Sequence, residues 1–359
     1  MNGKRGVSLN SDYLNSHKIL FHIGKHWHEI LEGKMDFKPI AVEVHPTAKC
    51  NHACTHCSYK ERNANRDELP QEIMERLVHS LVELKVEAVY FSGGGEPTLY
   101  PNLAQYVKML SQAGIEVALL TNGTYFEQAG LINVADCFNY IAFSVPGASS
   151  EVFESITGRN LLENVLSIPE KIKEKFGNRS PILGSRIIIT NQNYKQVQLF
   201  LRLMRERKFD YALFKVVRDY EKSGQGLGRV EEKYLQDEIE KMGEIDDNFS
   251  NLNHIFNYRK NVDFVGDCWI NQWGWIANVS TNGKVYPNIV EIDQPDFCIG
   301  DLHEQSLEKI WNSSMHEEVK RRSREKWLSG ECKNCRAISY NTIINEQLGF
   351  MPKAYDAFI

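Results

Sequence analysis

The feature that most constrains the fold is a regular alternation of β-rich runs and helical segments through the middle of the chain. Runs rich in β-branched and aromatic residues predict strands, and apolar residues that recur every three or four positions predict helices. The predicted strands are residues 40–44, 86–91, 115–120, 140–145, 182–190 and 211–217, and the predicted helices are 70–84, 101–114, 161–176 and 194–208. Such an alternation is typical of parallel strands joined by right-handed crossovers. We therefore expect an α/β fold, either an open doubly wound sheet or a barrel.

The alternation stops near residue 230, where an acidic helical stretch leads into a tail rich in tryptophan and cysteine. A chain of 359 residues is long enough for about two domains. We predict an N-terminal extension over 1–38, an α/β core over 39–222, a helical linker over 223–260 and a C-terminal domain over 261–359. In a parallel α/β core, functional residues gather on the loops at the carboxyl ends of the strands.

Composition and charge narrow the classes of partner. Lys+Arg 42 against Asp+Glu 47 leaves a formal charge of -5, so the chain has no excess positive field for nucleic acid or anionic lipid. The sequence has neither a signal-like apolar run at its start nor an apolar stretch of membrane-spanning length. We expect a cytoplasmic protein that binds neither nucleic acid nor membrane. In that reducing compartment its eight cysteines suit metal binding or catalysis better than disulfides.

Three of the cysteines, Cys50, Cys54 and Cys57, lie on one short loop directly after the first predicted strand. Three thiolates can hold three irons of an iron–sulfur cubane and leave the fourth iron open to a ligand. The alternative is a zinc site with His52 or His56 as the fourth ligand. A glycine run that ends in a carboxylate, residues 93–96, follows the second predicted strand and lets backbone approach a ligand closely.

The cysteine loop and the Gly-Gly-Glu segment together resemble the radical S-adenosylmethionine (radical SAM) superfamily. The resemblance extends over residues 40–217, with weaker matches at 121–123 and 143–147. It implies a partial (β/α)6 barrel, which would decide between the two layouts. It also implies a 4Fe–4S cluster on Cys50, Cys54 and Cys57 whose open iron binds SAM. An electron from a donor such as flavodoxin or ferredoxin would then cleave SAM reductively to a 5′-deoxyadenosyl radical, which abstracts hydrogen from the substrate.

The resemblance also implies which residues contact SAM. Gly94, Gly95 and Glu96 match the segment that contacts the SAM amino group. Ser144 matches the position of a polar contact to ribose or carboxylate, and His56 stands where an aromatic residue faces adenine. The resemblance thus marks His56, Gly94, Gly95, Glu96, Asn122 and Ser144 as cofactor-binding residues. Arg186, on the fifth strand, joins them for a separate reason, because an arginine there could hold the carboxylate of SAM.

Four further cysteines lie in the last quarter of the chain: Cys268, Cys298, Cys332 and Cys335. Alone they would suit a zinc ribbon. However, residues 280–287, 299–302 and 307–311 resemble the auxiliary-cluster extension called SPASM, or its shortened form, twitch. This resemblance implies one auxiliary 4Fe–4S cluster. The chain departs from the pattern at Asn288, where the family usually has a cysteine, so either Cys298 replaces that ligand or Asn288, water or substrate completes the iron.

Four residues are candidates for catalysis. Glu43 and His45 share one face of the first strand, where a structural hydrogen-bond network and a substrate contact are equally good interpretations. Arg218, just past the sixth strand, is a candidate for holding an anionic group. Cys137 is either a small buried residue or a hydrogen-atom donor to a substrate radical.

For the substrate, only about 40 residues precede the first strand, fewer than the roughly 80 to 90 of a leader-binding domain in peptide-modifying relatives. We therefore expect oxidation or epimerisation of a small sugar, polyol or aminocyclitol. The alternative is a radical SAM maturase that modifies a ribosomally made peptide. A second alternative is a non-catalytic zinc or redox-binding protein on the same scaffold.

Overall fold

The computed structural model describes residues 18–217, 224–240, 250–253, 266–332, 335 and 337–349. Its strands are β1 Ala41–Val44, β2 Ala88–Phe91, β3 Glu116–Thr121, β4 Tyr140–Ser144, β5 Ile182–Ile189, β6 Tyr211–Val216, β7 Ser250–Asn253, β8 Ile276–Val279, β9 Lys284–Tyr286 and β10 Gly300–Asp301. Its α-helices are α1 Ile19–Lys25, α2 Trp27–Leu31, α3 Gln71–Leu84, α4 Leu103–Gln112, α5 Ser150–Thr157, α6 Leu162–Leu166, α7 Ile168–Phe176, α8 Val197–Glu206, α9 Arg229–Glu240, α10 Trp269–Gln272, α11 Leu307–Trp311, α12 Ser314–Leu328 and α13 Ala337–Gly349.

The six predicted core strands form a parallel sheet in chain order, β1 to β6. In a doubly wound sheet the strand order reverses partway, whereas a barrel is wound in one direction throughout. Within the described residues, β1 and β6 pair with β8 and β7 and not with each other, so the barrel stays open. The structure confirms the predicted partial barrel.

The C-terminal module joins the barrel through the same sheet. β8 runs parallel to β1, with Val44 opposite Val279, and β9 and β10 continue outward as antiparallel strands. The hairpin between β8 and β9 therefore lies beside the carboxyl end of β1, where the cysteine loop begins.

The predicted linker holds both a helix and a strand. α9 confirms helical structure after residue 228, but β7 then adds a parallel strand to the edge of β6. Its sequence, Ser-Asn-Leu-Asn, lacks the β-branched residues of a typical strand, so only the backbone pairing reveals it. The domain limits proposed above remain predictions.

Two apolar cores support this architecture. The larger lies between the barrel sheet and its helices, and it includes Phe91, Phe143 and Phe214. The smaller contains Trp273 and Trp275, which pack on Phe37 and on α1 and α13. The described part of the N-terminal segment, residues 18–38, therefore packs on the C-terminal module.

The predicted helices occur with two differences. The segment 161–176 is two helices, α6 and α7, that meet at Ser167, and α5 was not predicted at all. The sequence does carry the signals for α5, since Ser149 accepts a hydrogen bond from the amide of Val152 and Gly158 ends the helix at φ 69°. In the described part of the chain, no helix combines the length and apolar character needed to cross a membrane.

Candidate active site

The cysteine loop follows β1 at the carboxyl edge of the barrel and is held there by α5. The amide of Ala53 donates to the carbonyl of Thr157 at 2.8 Å, and the amide of Thr55 donates to the carbonyl of Ile156 at 3.0 Å. Arg159 adds a bond from Nε to the carbonyl of Asn51 at 2.9 Å. The helix that sequence reasoning missed thus determines the path of the cysteine loop.

The glycine segment after β2 packs against the start of the cysteine loop through backbone alone. The amide of Gly95 donates to Thr47 O at 2.9 Å, and the amide of Glu96 donates to Lys49 O at 2.8 Å. A Cβ on Gly95 would lie 2.2 Å from Lys49 O and 2.6 Å from the carbonyl carbon of Ala48. Glycine is required at this position because no side chain fits between the two loops.

Glu96 is buried, and its carboxylate oxygens accept bonds from its own neighbours. Oε1 accepts from the amide of Thr98 at 3.0 Å, from its hydroxyl at 2.8 Å, and from the hydroxyl of Thr121 at 2.5 Å. Oε2 accepts from the amide of Asn122 at 2.6 Å. Burial raises the pKa of this carboxyl, while the four donors oppose that shift. Glu96 thus joins the ends of β2 and β3, and the contact of its segment with SAM remains a prediction.

Asn122 extends this network to the cysteine loop. Its side-chain Nδ2 donates to Oδ1 of Asn51 at 2.8 Å, and Asn51 Nδ2 donates to the hydroxyl of Thr124 at 2.9 Å. That hydroxyl also lies 3.3 Å from Nε2 of His52. The two asparagines and the threonine tie the first cysteine to the end of β3, and neither Asn51 nor Thr124 was singled out from the sequence.

The three thiols of the loop fit an iron–sulfur cluster. Cys50 is exposed, while Cys54 and Cys57 are half-buried. Desolvation raises the pKa of Cys50 to about 11 and that of Cys54 to about 12, and the neighbouring thiols add to both shifts. Such grouped thiols need cationic iron to remain deprotonated. Among the described residues, no three His, Cys, Asp or Glu side chains converge on a single ion position.

Three other predicted SAM-binding residues lie at the same barrel edge. Ser144 ends β4 and stands opposite Arg186 of β5 in the parallel register. Nε of Arg186 is buried without a hydrogen-bond partner, which leaves a donor for an anionic group. His56 is half-buried, its Nδ1 has no partner, and burial lowers its pKa to about 4, so the ring is neutral. Their contacts with SAM remain predictions.

Glu43 and His45 form a buried pair inside the barrel. His45 Nε2 lies 3.2 Å from Glu43 Oε1, and Glu43 also accepts from the hydroxyl of Tyr90 at 2.6 Å and from Ser92. His45 packs edge-to-face on Tyr59, with 5.7 Å between ring centroids. The network fixes His45 in one orientation, so both interpretations of this pair, structural and functional, apply to it.

His45 also lines a cavity of about 210 Å³ between the barrel and the C-terminal module. On the barrel side its wall includes Ala48, Tyr59 and Gly94. The opposite wall comes from the hairpin after β8 and from the segment that follows β9, and includes Ser280, Thr281, Asn282, Lys284, Tyr286 and Asp293. Residues 280–287 stood out in the sequence only by their resemblance to SPASM. Their place beside His45 was not predictable, because it depends on the pairing of β8 with β1.

The other two catalytic candidates are Arg218 and Cys137. Arg218 lies outside the described residues. Cys137 ends a short 3-10 turn just before β4 and packs on the large apolar core. It is therefore near the amino end of β4, and the five residues of that strand separate it from the carboxyl edge by about 15 Å. This position argues against the hydrogen-donor role predicted for Cys137 and favours the buried structural one.

The C-terminal cysteines separate into a group of three and a single residue. Cys268 and Cys335 are buried, and the charges of Cys335 and Cys332 act on Cys268, whose pKa burial raises. Cys298 contacts different groups, since its thiol donates to Gly300 O at 3.4 Å and lies against Tyr286. Asn288 instead reaches the group, with Nδ2 3.0 Å from Cys335 Sγ. Cys298 as a ligand beside the other three thus remains a prediction that this geometry does not favour.

Comparison with known families agrees with both sites. Residues 44–204 match the radical SAM superfamily model, and residues 268–336 match the SPASM model, described as an iron–sulfur cluster-binding domain. The first match includes the cysteine loop and the glycine segment, and the second includes all four C-terminal cysteines. These domains carry 4Fe–4S clusters, and the barrel domain binds SAM.

Among curated relatives, the tungsten-containing aldehyde ferredoxin oxidoreductase cofactor-modifying protein of Pyrococcus furiosus is 24% identical over 168 residues, 44% of this chain and 46% of that protein. The PqqA peptide cyclase of Bradyrhizobium diazoefficiens is 28% identical over 139 residues, 38% of this chain and 36% of the cyclase. The matches span about half the length of such relatives or less.

Among solved structures, SuiB of Streptococcus suis bound to S-adenosylmethionine superposes with a TM-score of 0.63 at 16% identity, over 90% of this chain and 77% of SuiB. SuiB has also been solved bound to its precursor peptide SuiA. At this identity the likeness concerns the fold, and it includes the barrel together with the C-terminal module. With both cysteine groups and both family matches, the chain contains a radical SAM domain over residues 44–204 and a SPASM iron–sulfur cluster-binding domain over residues 268–336.

Proposed function

We propose that this enzyme is a maturase that modifies a peptide side chain by SAM-dependent radical chemistry. The observation that carries the proposal is the cavity between His45 of the barrel and Lys284 of the C-terminal hairpin. Its volume of about 210 Å³ is below the roughly 300–1,000 Å³ of pockets that enclose a whole small ligand. A space of this size suits one side chain of a substrate whose remaining residues stay outside.

The relatives support the same proposal. One curated relative is a peptide cyclase, and the structurally similar SuiB binds a precursor peptide. They favour the peptide alternative over the sugar, polyol or aminocyclitol oxidation expected from the short N-terminal segment. The position of Cys137 also weakens the epimerase interpretation, because that reaction would need this thiol as the hydrogen-atom donor.

The residues of this chain would divide the work between the two walls of the cavity. When bound, the 4Fe–4S cluster and SAM supply the radical that removes hydrogen from the substrate. Gly94, which has no side chain, lets substrate approach the SAM side, while Lys284 and Asn282 offer donors to peptide carbonyls. His45, held at Nε2 by Glu43, is placed to move a proton while the buried barrel wall excludes water.

The test is coexpression of the enzyme with each short peptide encoded beside its gene, followed by mass spectrometry of the peptide. We expect a mass change in one peptide that depends on Cys54 and is absent with Cys54→Ala. Lys284→Ala should lower peptide turnover about tenfold, the scale of one or two lost hydrogen bonds, but leave SAM cleavage without peptide unchanged. Lys309→Ala, on α11 in the same module but outside the cavity lining, is the matched control.

A different result would decide against the proposal. If every peptide keeps its mass and the purified enzyme instead oxidises a polyol or aminosugar in the presence of SAM and dithionite, the small-molecule function expected from the sequence is right. Zinc without iron in the anaerobically purified protein, together with no 5′-deoxyadenosine, would point to the non-catalytic alternative.

A further inference from the structure

A single turn of the C-terminal module packs against the second cysteine group. Asn288 begins the turn: its Oδ1 accepts from the amide of Val290 at 3.3 Å, and the amide of Glu291 donates to its backbone carbonyl at 3.1 Å. The same asparagine donates from Nδ2 to Cys335 Sγ at 3.0 Å. The turn is therefore fixed against the CxxC segment by a bond to one of its sulfurs.

Glu291, at the end of this turn, is an unusual carboxylate. It is 2% exposed, and while Oε1 accepts from Lys326 Nζ at 3.2 Å, Oε2 is buried with no hydrogen-bond partner. An unpartnered carboxylate oxygen in the interior is costly unless a cation occupies its free side. Lys326 is already engaged with the other oxygen, so Oε2 is available to a second cationic group.

The second cysteine group adjoins the turn that carries this oxygen. Asn288, at the start of the turn, contacts Cys335, and Lys326, which holds Oε1, lies near the end of α12, shortly before Cys332 in the chain. Three thiol groups and one carboxylate thus lie in the same part of the module. Iron bound there would relieve the repulsion among these groups.

The geometry points to Glu291 as the fourth protein ligand of the auxiliary cluster, through Oε2, beside Cys268, Cys332 and Cys335. One corner iron of the cluster thus has an oxygen ligand where the usual cysteine is missing. Asn288, which occupies that cysteine's place in the sequence, is a positioning residue. Its oxygen caps Val290 and its nitrogen donates to Cys335, so both polar atoms of its side chain already have partners within the turn and the CxxC segment.

Cys298 is the competing ligand, and its contacts lie elsewhere. Its thiol donates to Gly300 O at 3.4 Å, on the far side of β9, and its other contact is Tyr286. Glu291, in contrast, lies on the same turn as the asparagine that contacts Cys335, and its Oε2 is a buried oxygen with no hydrogen-bond partner.

The experiment uses the full chain with Cys50→Ala, Cys54→Ala and Cys57→Ala, so that only auxiliary iron remains and no substrate is required. After anaerobic reconstitution with ⁵⁷Fe and sulfide, we expect about four irons per chain, with one in four in a distinct, oxygen-ligated environment by Mössbauer spectroscopy. Adding Glu291→Cys should retain the iron and make the four sites uniform. Adding Glu291→Gln should speed iron loss to a chelator by about tenfold or more.

Cys298→Ser in the same background is the matched control and should keep both the iron content and the distinct site. The assignment is overturned if Cys298→Ser loses the iron, if the parent spectrum is already uniform, or if the parent binds no iron. Because Glu291→Cys restores a ligand, retained iron in that variant separates loss of a ligand from failure to fold. None of these outcomes depends on which substrate the enzyme modifies.

Discussion

The two cysteine groups of this enzyme are held in opposite ways. The first lies at the open edge of the barrel with Cys50 exposed. Backbone groups of α5 and of the glycine segment, with the side chains of Asn122 and Arg159, hold its loop, and Cys50 Sγ accepts from the backbone amide of His52. The second lies inside the C-terminal module, where Cys268 and Cys335 are buried and side-chain amides donate directly to their sulfurs. One group is open to a ligand and the other is enclosed by protein.

This difference separates two kinds of iron–sulfur site. A cluster that must bind SAM needs an accessible face, so its loop is shaped by backbone that leaves the sulfurs uncovered. A cluster that accepts or transfers electrons is tuned by burial and by hydrogen bonds to sulfur. The cavity at His45 lies where the β8–β9 hairpin meets the barrel edge, so substrate would enter between the two kinds of site.

The largest predicted effect comes from removing the cysteines of one group while the other group stays intact. Cys54→Ala should abolish SAM cleavage, at least about a thousandfold, because the open site cannot form, while about four auxiliary irons per chain remain. Cys268→Ala should leave about four irons as well, but on the barrel, and retain SAM cleavage without substrate. Iron counts and 5′-deoxyadenosine release measure both, and equal loss of SAM cleavage in the two variants would contradict the separation.

The next effect concerns the backbone packing of the open site. Gly95→Ala places a methyl group 2.2 Å from Lys49 O, so the cysteine loop and the glycine segment must separate. We expect a loss of about 3 kcal/mol in stability, at the upper end for overpacking, and at least about tenfold weaker SAM binding by calorimetry. Gly24→Ala is the control, because a Cβ at Gly24 meets nothing within 4 Å and alanine favours the helix. Unchanged SAM binding in Gly95→Ala would mean that the two loops adjust freely.

The barrel was predictable because its signals are local and repeated. Runs of β-branched residues predict strands β1 to β6, and apolar periodicity predicts α3, α4 and α8, so a single sequence is enough to find them. α5 was missed because it is short, although Ser149 and Gly158 mark its ends. β7 could not be found, since its polar sequence becomes a strand only by pairing with β6.

The candidate sites were predictable in part, for a related reason. The cysteines and the glycine segment are close in sequence to the strands that position them, so motif spacing was sufficient. Asn51, Lys284 and Glu291 reach their places only through long-range contacts, and a single glutamate in a sequence carries no sign that it is buried. For Cys137 the sequence was misleading in the opposite direction. A cysteine suggests chemistry by its residue type, but this one lies at the amino end of β4, away from the candidate active site.

A smaller predicted effect concerns the pH dependence of stability in the enclosed C-terminal module. His316 on α12 is fully buried, its Nδ1 donates to Trp311 O at 2.7 Å, and burial lowers its pKa to about 4. In the unfolded chain His316 binds a proton near pH 6.5, whereas in the folded module it does so only near pH 4. The folded state therefore loses stability as the pH falls between these two values. His316→Asn should remove about 2 kcal/mol of this loss, measured as a smaller drop in melting temperature from pH 7 to 4.5.

The exposed His28, replaced in the same way, is the control for that measurement. Histidines near the cysteine loop contribute equally to the pH dependence of stability in the wild type and in His316→Asn. The difference in melting-temperature drop between these two proteins therefore reports on His316 alone. An identical drop in melting temperature for His316→Asn and wild type would show that the buried ring accepts its proton without cost.

The smallest effect tests whether amides tune the enclosed site. Asn341 donates from Nδ2 to Cys268 Sγ at 3.3 Å and accepts from the amide of Ile270 at 3.0 Å. Asn341→Ala removes a donor to a ligand sulfur, so the auxiliary cluster should become harder to reduce, with a more negative potential and a stability loss of about 1–2 kcal/mol. Asn345→Ala on the same helix loses contacts to Trp269 and Asp267 but none to sulfur, and should leave the potential unchanged. If the potential of the barrel cluster changes in neither variant, the side-chain amides tune the enclosed site alone. If Asn341→Ala and Asn345→Ala shift the potential of the auxiliary cluster equally, the shift comes from the general packing of α13.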